Sequence, residues 1–162
     1  MAYIQSCPIA PGRGHEAGRM LLQALYSRHQ GGPMPEVLVA QGGKPYFAGG
    51  GWHFSISHTK TRAFCALSRV PVGLDAEDLD RQVPPALAEK VLSPGELEQY
   101  RGAPDPNRAL LTFWVLKEAA AKLSGRGLRI WPNDTDFSLE DPRVQILDGC
   151  LVAVMEENND AL

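Results

Sequence analysis

The chain has few of the features that would settle its class at once. Its three cysteines, Cys7, Cys65 and Cys150, are odd in number and widely spaced, which suits neither a disulfide framework nor a zinc site. No apolar run approaches the ~20 residues of a membrane-spanning helix. The opening MAYIQSCPIAPGRG has no basic start followed by an apolar stretch, so no secretory signal is expected. Reduced thiols and the missing signal together predict a cytoplasmic protein. An excess of positive charge is also lacking: the formal net charge is −3, which argues against a nucleic-acid partner. Internal repeats, a Walker-type GxxxxGK[ST], a GxGxxG and a GxSxG are all absent.

What remains is an ordinary soluble composition, 44% apolar and 22% charged over 162 residues, enough for one domain with a sizeable core. Residues 15–29 carry Met20, Leu21, Ala24, Leu25 and Tyr26 at helical spacing, and Gly31-Gly32 stop the helix. Residues 37–40 predict a short strand, and 42–51 a glycine-rich connector. A period of two follows, with Trp52, Phe54 and Ile56 on one side and His53, Ser55 and Ser57 on the other. Residues 63–68 predict its hairpin partner, and 72–77 a third strand. Two short helices are expected at 84–92 and 94–100, each with a proline near its first turn, and a long one from about Asn107 to Ser124, stopped by Gly125. Strand candidates close the chain at 136–139, 143–147 and 150–155. The pattern is that of an α+β fold, one mostly antiparallel sheet with packed helices, forming a single domain over 1–162.

Four constellations can carry chemistry. In GLDAE, Asp75 and Glu77 occupy positions i and i+2 of a strand, on one face and about 7 Å apart. Their repulsion costs about 2 kcal/mol at an effective dielectric near 20, and a divalent cation between them reverses its sign. Oxygen-only ligands suit Mg²⁺ or Mn²⁺ and not zinc. The bland alternative is a solvated acidic face. The helix FWVLKEAAAKLSG is apolar nearly all round and so is predicted to be buried, yet it carries Lys117, Glu118 and Lys122, which need partners or a function. A structural ion pair at the helix edge is the alternative there. Lys44 in the glycine-rich stretch, with Ser57 and His58 at a strand end, offers groups suited to phosphate, although serine and histidine in a turn more often only cap it. Arg13 and Arg19 sit near a helix start, where the dipole disfavours cations; that suits an anion site, with solvated arginines as the default reading.

In order along the chain, GKP (43–45), FSISHT (54–59), VGLDAE (72–77) and FWVLKEAAAKLSGRGL (113–128) resemble the Sfp type of 4′-phosphopantetheinyl transferase. The resemblance covers roughly residues 13 to 140, and the aspartate motif lies mid-chain, not near the N-terminus as in the small holo-acyl-carrier-protein synthases. It implies an N-terminal half (1–70), trimmed before the helix at 15, and a C-terminal half (71–162) carrying the metal site. It implies that Asp75, Glu77 and Glu118 hold Mg²⁺, with coenzyme A as co-substrate. Lys122 binds its pyrophosphate and Lys117 supports that charge. Ser57 and His58 meet the nucleotide phosphates, His58 at the 3′-phosphate, and Lys44, Arg19 and Arg13 complete the nucleotide site. Glu118 is the implied base, and Asp75, Glu118 and Lys122 the catalytic group. Ser55 stands where many relatives carry asparagine. The implied reaction moves the phosphopantetheine arm to a serine of an apo carrier protein, in fatty acid, polyketide or nonribosomal peptide synthesis, and releases 3′,5′-ADP. The alternative is a coenzyme A- or carrier-binding module without catalysis. The carrier is expected to dock beside residues 81–100, through Val83, Leu87, Val91 and Leu92 with Arg81 and Lys90.

Overall fold

Two three-stranded antiparallel sheets stand face to face, each with a helix on its outer side, in a computed structural model that describes residues 1–126 and 135–158. The first sheet contains β1 (Tyr3–Pro8), β4 (His53–His58) and β5 (Arg62–Ser68), in the order β1-β5-β4. The second contains β6 (Val72–Asp78), β7 (Val144–Leu147) and β8 (Cys150–Glu156), in the order β6-β8-β7. In both, the strand that comes last in sequence sits in the middle. A hairpin of β2 (Val37–Val39) and β3 (Pro45–Phe47) stands apart.

The central strands read as continuous apolar runs because both of their faces are covered. Ala63, Cys65 and Leu67 of β5 pack with Leu22, Leu25 and Tyr26 of helix α1 (Gly14–His29), while Phe64 and Ala66 meet Val72, Leu74, Ala76 and Val152 of the second sheet. On that sheet's other face Leu151, Ala153 and Met155 pack under α4 (Pro106–Ser124). Between β6 and α4 lie the short α2 (Ala88–Val91), entered through a 3₁₀ turn at Pro85–Leu87, and α3 (Pro94–Gly102).

Local chemistry sets the helix ends. The Asp105 side chain caps α4 by accepting from Arg108 N at 3.0 Å, Pro106 follows at the first turn, and Gly125 closes it in the left-handed region at φ 70°. Helix α1 has no side-chain cap. It lies so close to β4 that a Cβ on Gly18 would come within 2.4 Å of Ile56 Cγ2, so glycine there permits the packing.

Most expected elements form, with boundaries shifted by one or two residues. The strand expected at 136–139 does not. Those residues run as a loop whose backbone is satisfied by side chains of α3: Glu96 Oε2 accepts from Phe137 N, Gln99 Nε2 donates to Phe137 O, and Leu139 N donates to Gln99 Oε1. The expected helix at 84–92 is reduced to the 3₁₀ turn and the four residues of α2. Strand β1 precedes α1 where no element was expected, and β3 lies inside the expected glycine-rich connector. Gly127 and Leu128 of the fourth motif lie outside the described residues. The three cysteines are unpaired. Among the described residues no helix is long and apolar enough to cross a membrane.

Candidate active site

The site grows from the seam where β4 runs beside β6. No backbone ladder joins these strands; serine hydroxyls do the work. Ser55 Oγ accepts from Leu74 N at 2.9 Å, and Ser57 Oγ accepts from Ala76 N at 3.3 Å. Beyond the strand end, Lys60 N and Thr61 Oγ1 donate to the Asp78 carboxylate at 3.1 and 2.6 Å, tying the turn after His58 to the end of β6.

Alternation along β6 sends Val72, Leu74 and Ala76 toward the first sheet and Gly73, Asp75 and Glu77 toward α4. A Cβ on Gly73 would lie 2.1 Å from Ala119 O, so the helix passes directly over this face. Asp75 is buried at 6% exposure. Its Oδ1 accepts from Ser57 Oγ at 3.1 Å and from Lys122 Nζ at 2.9 Å, whereas its Oδ2 is buried with no hydrogen-bond partner. An orphaned carboxylate oxygen is costly.

Lys122 Nζ also donates to Leu74 O at 3.0 Å and Ile56 O at 3.4 Å, so its ammonium reaches carbonyls of both sheets. Glu118, one helical turn earlier, is buried. Burial first, then the Asp75 charge, pushes its carboxyl up to about 7, with Lys122 acting in the opposite sense and Glu77 adding to the rise. Burial likewise raises Glu77, which Arg81 and Lys122 counteract. Glu77 pairs with Arg81, whose guanidinium lies 5.3 Å over the Trp114 ring. Among the described residues no three acidic, histidine or cysteine side chains stand at metal-ligand spacing.

A cavity of about 320 Å³ opens beside the seam, lined by Lys44, Ser55, Ile56, Ala121, Lys122 and Gly125 among others. Lys44 Nζ donates to Leu123 O at 3.1 Å and Val72 O at 3.3 Å, and burial lowers its pKa. A Cβ on Gly42 would sit 2.2 Å from Gly125 O, so the tip of the β2–β3 hairpin seats on the end of α4 only because residue 42 is glycine. Two ammonium groups thus share one cavity wall.

The ten expected site residues divide. Asp75, Glu118, Lys122 and Ser57 come together, Glu77 joins them with its carboxylate drawn to Arg81, and Lys44 shares the cavity. The Ser57 hydroxyl is spent inside the seam, orienting Asp75. His58 is exposed at the end of β4, packed on Gly14 at the start of α1, where an added Cβ would lie 2.4 Å from the imidazole. Arg13 forms an exposed pair with Glu16 at 2.9 Å, and Arg19 is part-buried farther along α1. Of the ten, only Lys44 and Lys122 line the cavity. Lys117 is fully buried against Glu96 at 2.7 Å, with both side chains at 0% exposure. Sequence reasoning missed Glu96, although Ser93-Pro94-Gly95-Glu96 has the S-x-x-E spacing of a capping box, which is the structure it adopts. Of the apolar residues expected to meet a carrier, Val83, Val91 and Leu92 are buried in the core under α4, leaving Arg81 and Lys90 exposed.

Known proteins resemble this chain in sequence. Residues 71–149 match the family model of the 4′-phosphopantetheinyl transferase superfamily. The 4′-phosphopantetheinyl transferase HetI of Nostoc is 31% identical over 131 residues, covering 72% of this chain and 53% of that protein. The 4′-phosphopantetheinyl transferase AcpT of Salmonella typhi is 36% identical over 116 residues, covering 67% and 57%. The 4′-phosphopantetheinyl transferase psf-1 of Bacillus pumilus is 28% identical over 116 residues, covering 68% and 49%. The chain spans about half the length of these curated relatives, and it belongs to the 4′-phosphopantetheinyl transferase superfamily.

Proposed function

We propose that this chain transfers the 4′-phosphopantetheine arm of coenzyme A to a serine of an apo carrier protein, releasing 3′,5′-ADP, and that it is of the Sfp type. The observation that carries the reading is the buried, unpartnered Oδ2 of Asp75 near Glu118 and Lys122, the lysine itself lining a cavity together with Lys44. That orphan, and a Glu118 carboxyl raised first by burial and then by the Asp75 and Glu77 charges, fit a divalent cation. Asp75, Glu77 and Glu118 would hold Mg²⁺ or Mn²⁺ through oxygens alone. When bound, the cation supplies neutralisation of charge on the pyrophosphate oxygens.

The chain's own groups then divide the work. Lys122 and Lys44 bind phosphate oxygens, exchanging backbone carbonyls for stronger charge-assisted hydrogen bonds. His58, exposed beside the start of α1, takes the 3′-phosphate, with Arg13 and Arg19 nearby on the helix. Ser57 holds Asp75 in place. Glu118 accepts the proton of the carrier serine as general base. The serine Oγ forms a bond to the β-phosphorus of coenzyme A, and the bond from that phosphorus to the bridging oxygen breaks, leaving 3′,5′-ADP. The carrier approaches the Glu77 end of β6, where Arg81 and Lys90 offer charge to an acidic partner and steer encounter more than they add affinity. Three free thiols fit a reducing, cytoplasmic setting.

The test is incubation of the chain with coenzyme A, Mg²⁺ and a panel of apo carriers. The proposal expects one carrier or more to gain the mass of the arm. Tight coenzyme A binding with no mass gain on any carrier would instead support a binding module without catalysis.

A further inference from the structure

Lys117 directly precedes Glu118 on α4, and by resemblance it belongs to the phosphates. Its surroundings assign it elsewhere. Its Nζ has no exposed surface and lies 2.7 Å from Glu96 Oε1, a close ion pair whose angle falls short of hydrogen-bond alignment. Glu96 is fully used. Its Oε1 also accepts from Ser93 N at 2.8 Å and its Oε2 from Phe137 N at 3.1 Å. The Phe137 ring lies 5.8 Å from the Lys117 ammonium. Ser93 Oγ donates to Asp136 Oδ1 at 2.5 Å, and Gln99 holds both Phe137 O and Leu139 N. One buried pair therefore ties together the start of α3, the middle of α4 and the loop 136–139.

Two physical consequences follow. A phosphate reaches Lys117 only if a fully buried pair opens, which strands a carboxylate in a low dielectric. The pair also does what apolar packing does poorly. Around it α4 contacts the core through Phe113, Leu116 and Ala119, surfaces that resist sliding and rotation without fixing one orientation. A close ion pair to a carboxylate that is itself held by Ser93 N and Phe137 N narrows the choice to one. Successive residues of a helix lie about 100° apart, so setting the direction of Lys117 sets the direction of Glu118 toward β6. We infer that Glu96 and Lys117 are a positioning pair for Glu118, and that Lys117 is not a phosphate ligand. The part of this inference that concerns turnover rests on the proposed transfer reaction.

The experiment compares Lys117→Met, Glu96→Gln and their double variant in the full chain, with Leu25→Ala as a control that destabilises through the distant core of α1. Lys117→Met lowers Tm by on the order of 10 °C, and the double variant by less, because no charge is left unpaired. At a temperature well below every Tm, the affinity for coenzyme A by calorimetry stays within about twofold of wild type, while kcat falls about tenfold or more in both Lys117 variants, as misplacement of a reacting group predicts. Leu25→Ala keeps its kcat. The ¹³C resonance of the Glu118 carboxyl, identified by its loss in Glu118→Gln, reads the same placement without turnover: it shifts in Lys117→Met and not in Leu25→Ala. A tenfold or greater loss of coenzyme A affinity in Lys117→Met makes the lysine a phosphate ligand and overturns the inference. A lowered Tm with unchanged kcat and an unmoved Glu118 resonance makes the pair merely structural and overturns it as well. A wild-type chain inert toward every carrier defeats the proposed reaction, and the resonance then decides the positioning claim alone.

Discussion

Two lysines five positions apart on α4 meet opposite surroundings. Lys117 is sealed, with no exposed surface, against a glutamate whose two oxygens already accept from backbone amides. Lys122 is 29% exposed and reaches an aspartate whose second oxygen is buried and bare. Around Lys117 the charges balance one to one: its ammonium lies against Glu96 alone, although it makes no aligned hydrogen bond. Around Lys122 the protein has gathered Asp75, Glu77 and Glu118 against fewer cations, and burial first, then the neighbouring carboxylates, raises the Glu118 pKa to about 7. A buried charge neutralised by a single opposite charge belongs to the architecture. An incompletely matched cluster at a cavity edge is poised for a ligand.

The contrast breaks most visibly at Asp75. Asp75→Ala should reduce transfer by at least about a thousandfold, the scale of losing a group central to charge stabilisation. The fold should survive, because Lys122 keeps the carbonyls of Ile56 and Leu74 and one of three mutually repelling carboxylates is gone. Circular dichroism and a carrier mass assay on the same sample check both halves. Next comes Lys122→Met, expected to weaken coenzyme A binding by about tenfold to a hundredfold through loss of charge-assisted hydrogen bonds; calorimetry with coenzyme A measures this, and an unaltered affinity would place the phosphates away from the cavity.

His58→Ala sharpens the division between cavity and rim. It should weaken coenzyme A by about threefold to tenfold and leave 3′-dephospho-coenzyme A nearly untouched. Equal losses for the two ligands would make His58 a packing residue on Gly14.

The smallest effect is on stability. The Glu118 pKa rises in the folded protein from its ordinary 4.5 to about 7, so the folded state holds a proton that the unfolded chain releases. The stability this contributes is present at low pH and lost as pH rises from about 4.5 to about 7. Glu118→Gln cannot lose it. Its Tm should therefore exceed that of wild type by a few degrees at pH 8, on the order expected for a domain of this size, and the advantage should vanish below pH 4. Thermal melts across that range read the sign directly.

Much of this site was legible in the sequence because its signals are local. The alternation from Trp52 to Ser57, the i, i+2 carboxylates of β6 and the capped, glycine-stopped α4 are periodic patterns that need no partner to be seen. Elements made by pairing were not. Tyr3–Pro8 becomes a strand only through its register with β5, from Tyr3 opposite Leu67 to Pro8 opposite Arg62. Residues 136–139 look like a strand, yet Glu96 and Gln99 from a distant helix claim their backbone groups. For the same reason the chemistry of Lys117 and Lys122 could not be told apart by spacing: both are lysines on one apolar helix, and only the third dimension supplies Glu96 to one and Asp75 to the other. The serine faces of β4 were legible as a pattern, but their use as acceptors for β6 amides was not, since it requires knowing which strand lies alongside.

The account turns on the incompletely matched acidic cluster being the centre of transfer. The most direct test is a single time course with coenzyme A, Mg²⁺ and a responsive apo carrier, following carrier mass and 3′,5′-ADP together, for wild type, wild type with chelator, and Asp75→Ala. The account predicts equal amounts of modified carrier and released 3′,5′-ADP in the first, and neither product in the other two while coenzyme A still binds. Full transfer by Asp75→Ala in the presence of chelator would contradict it.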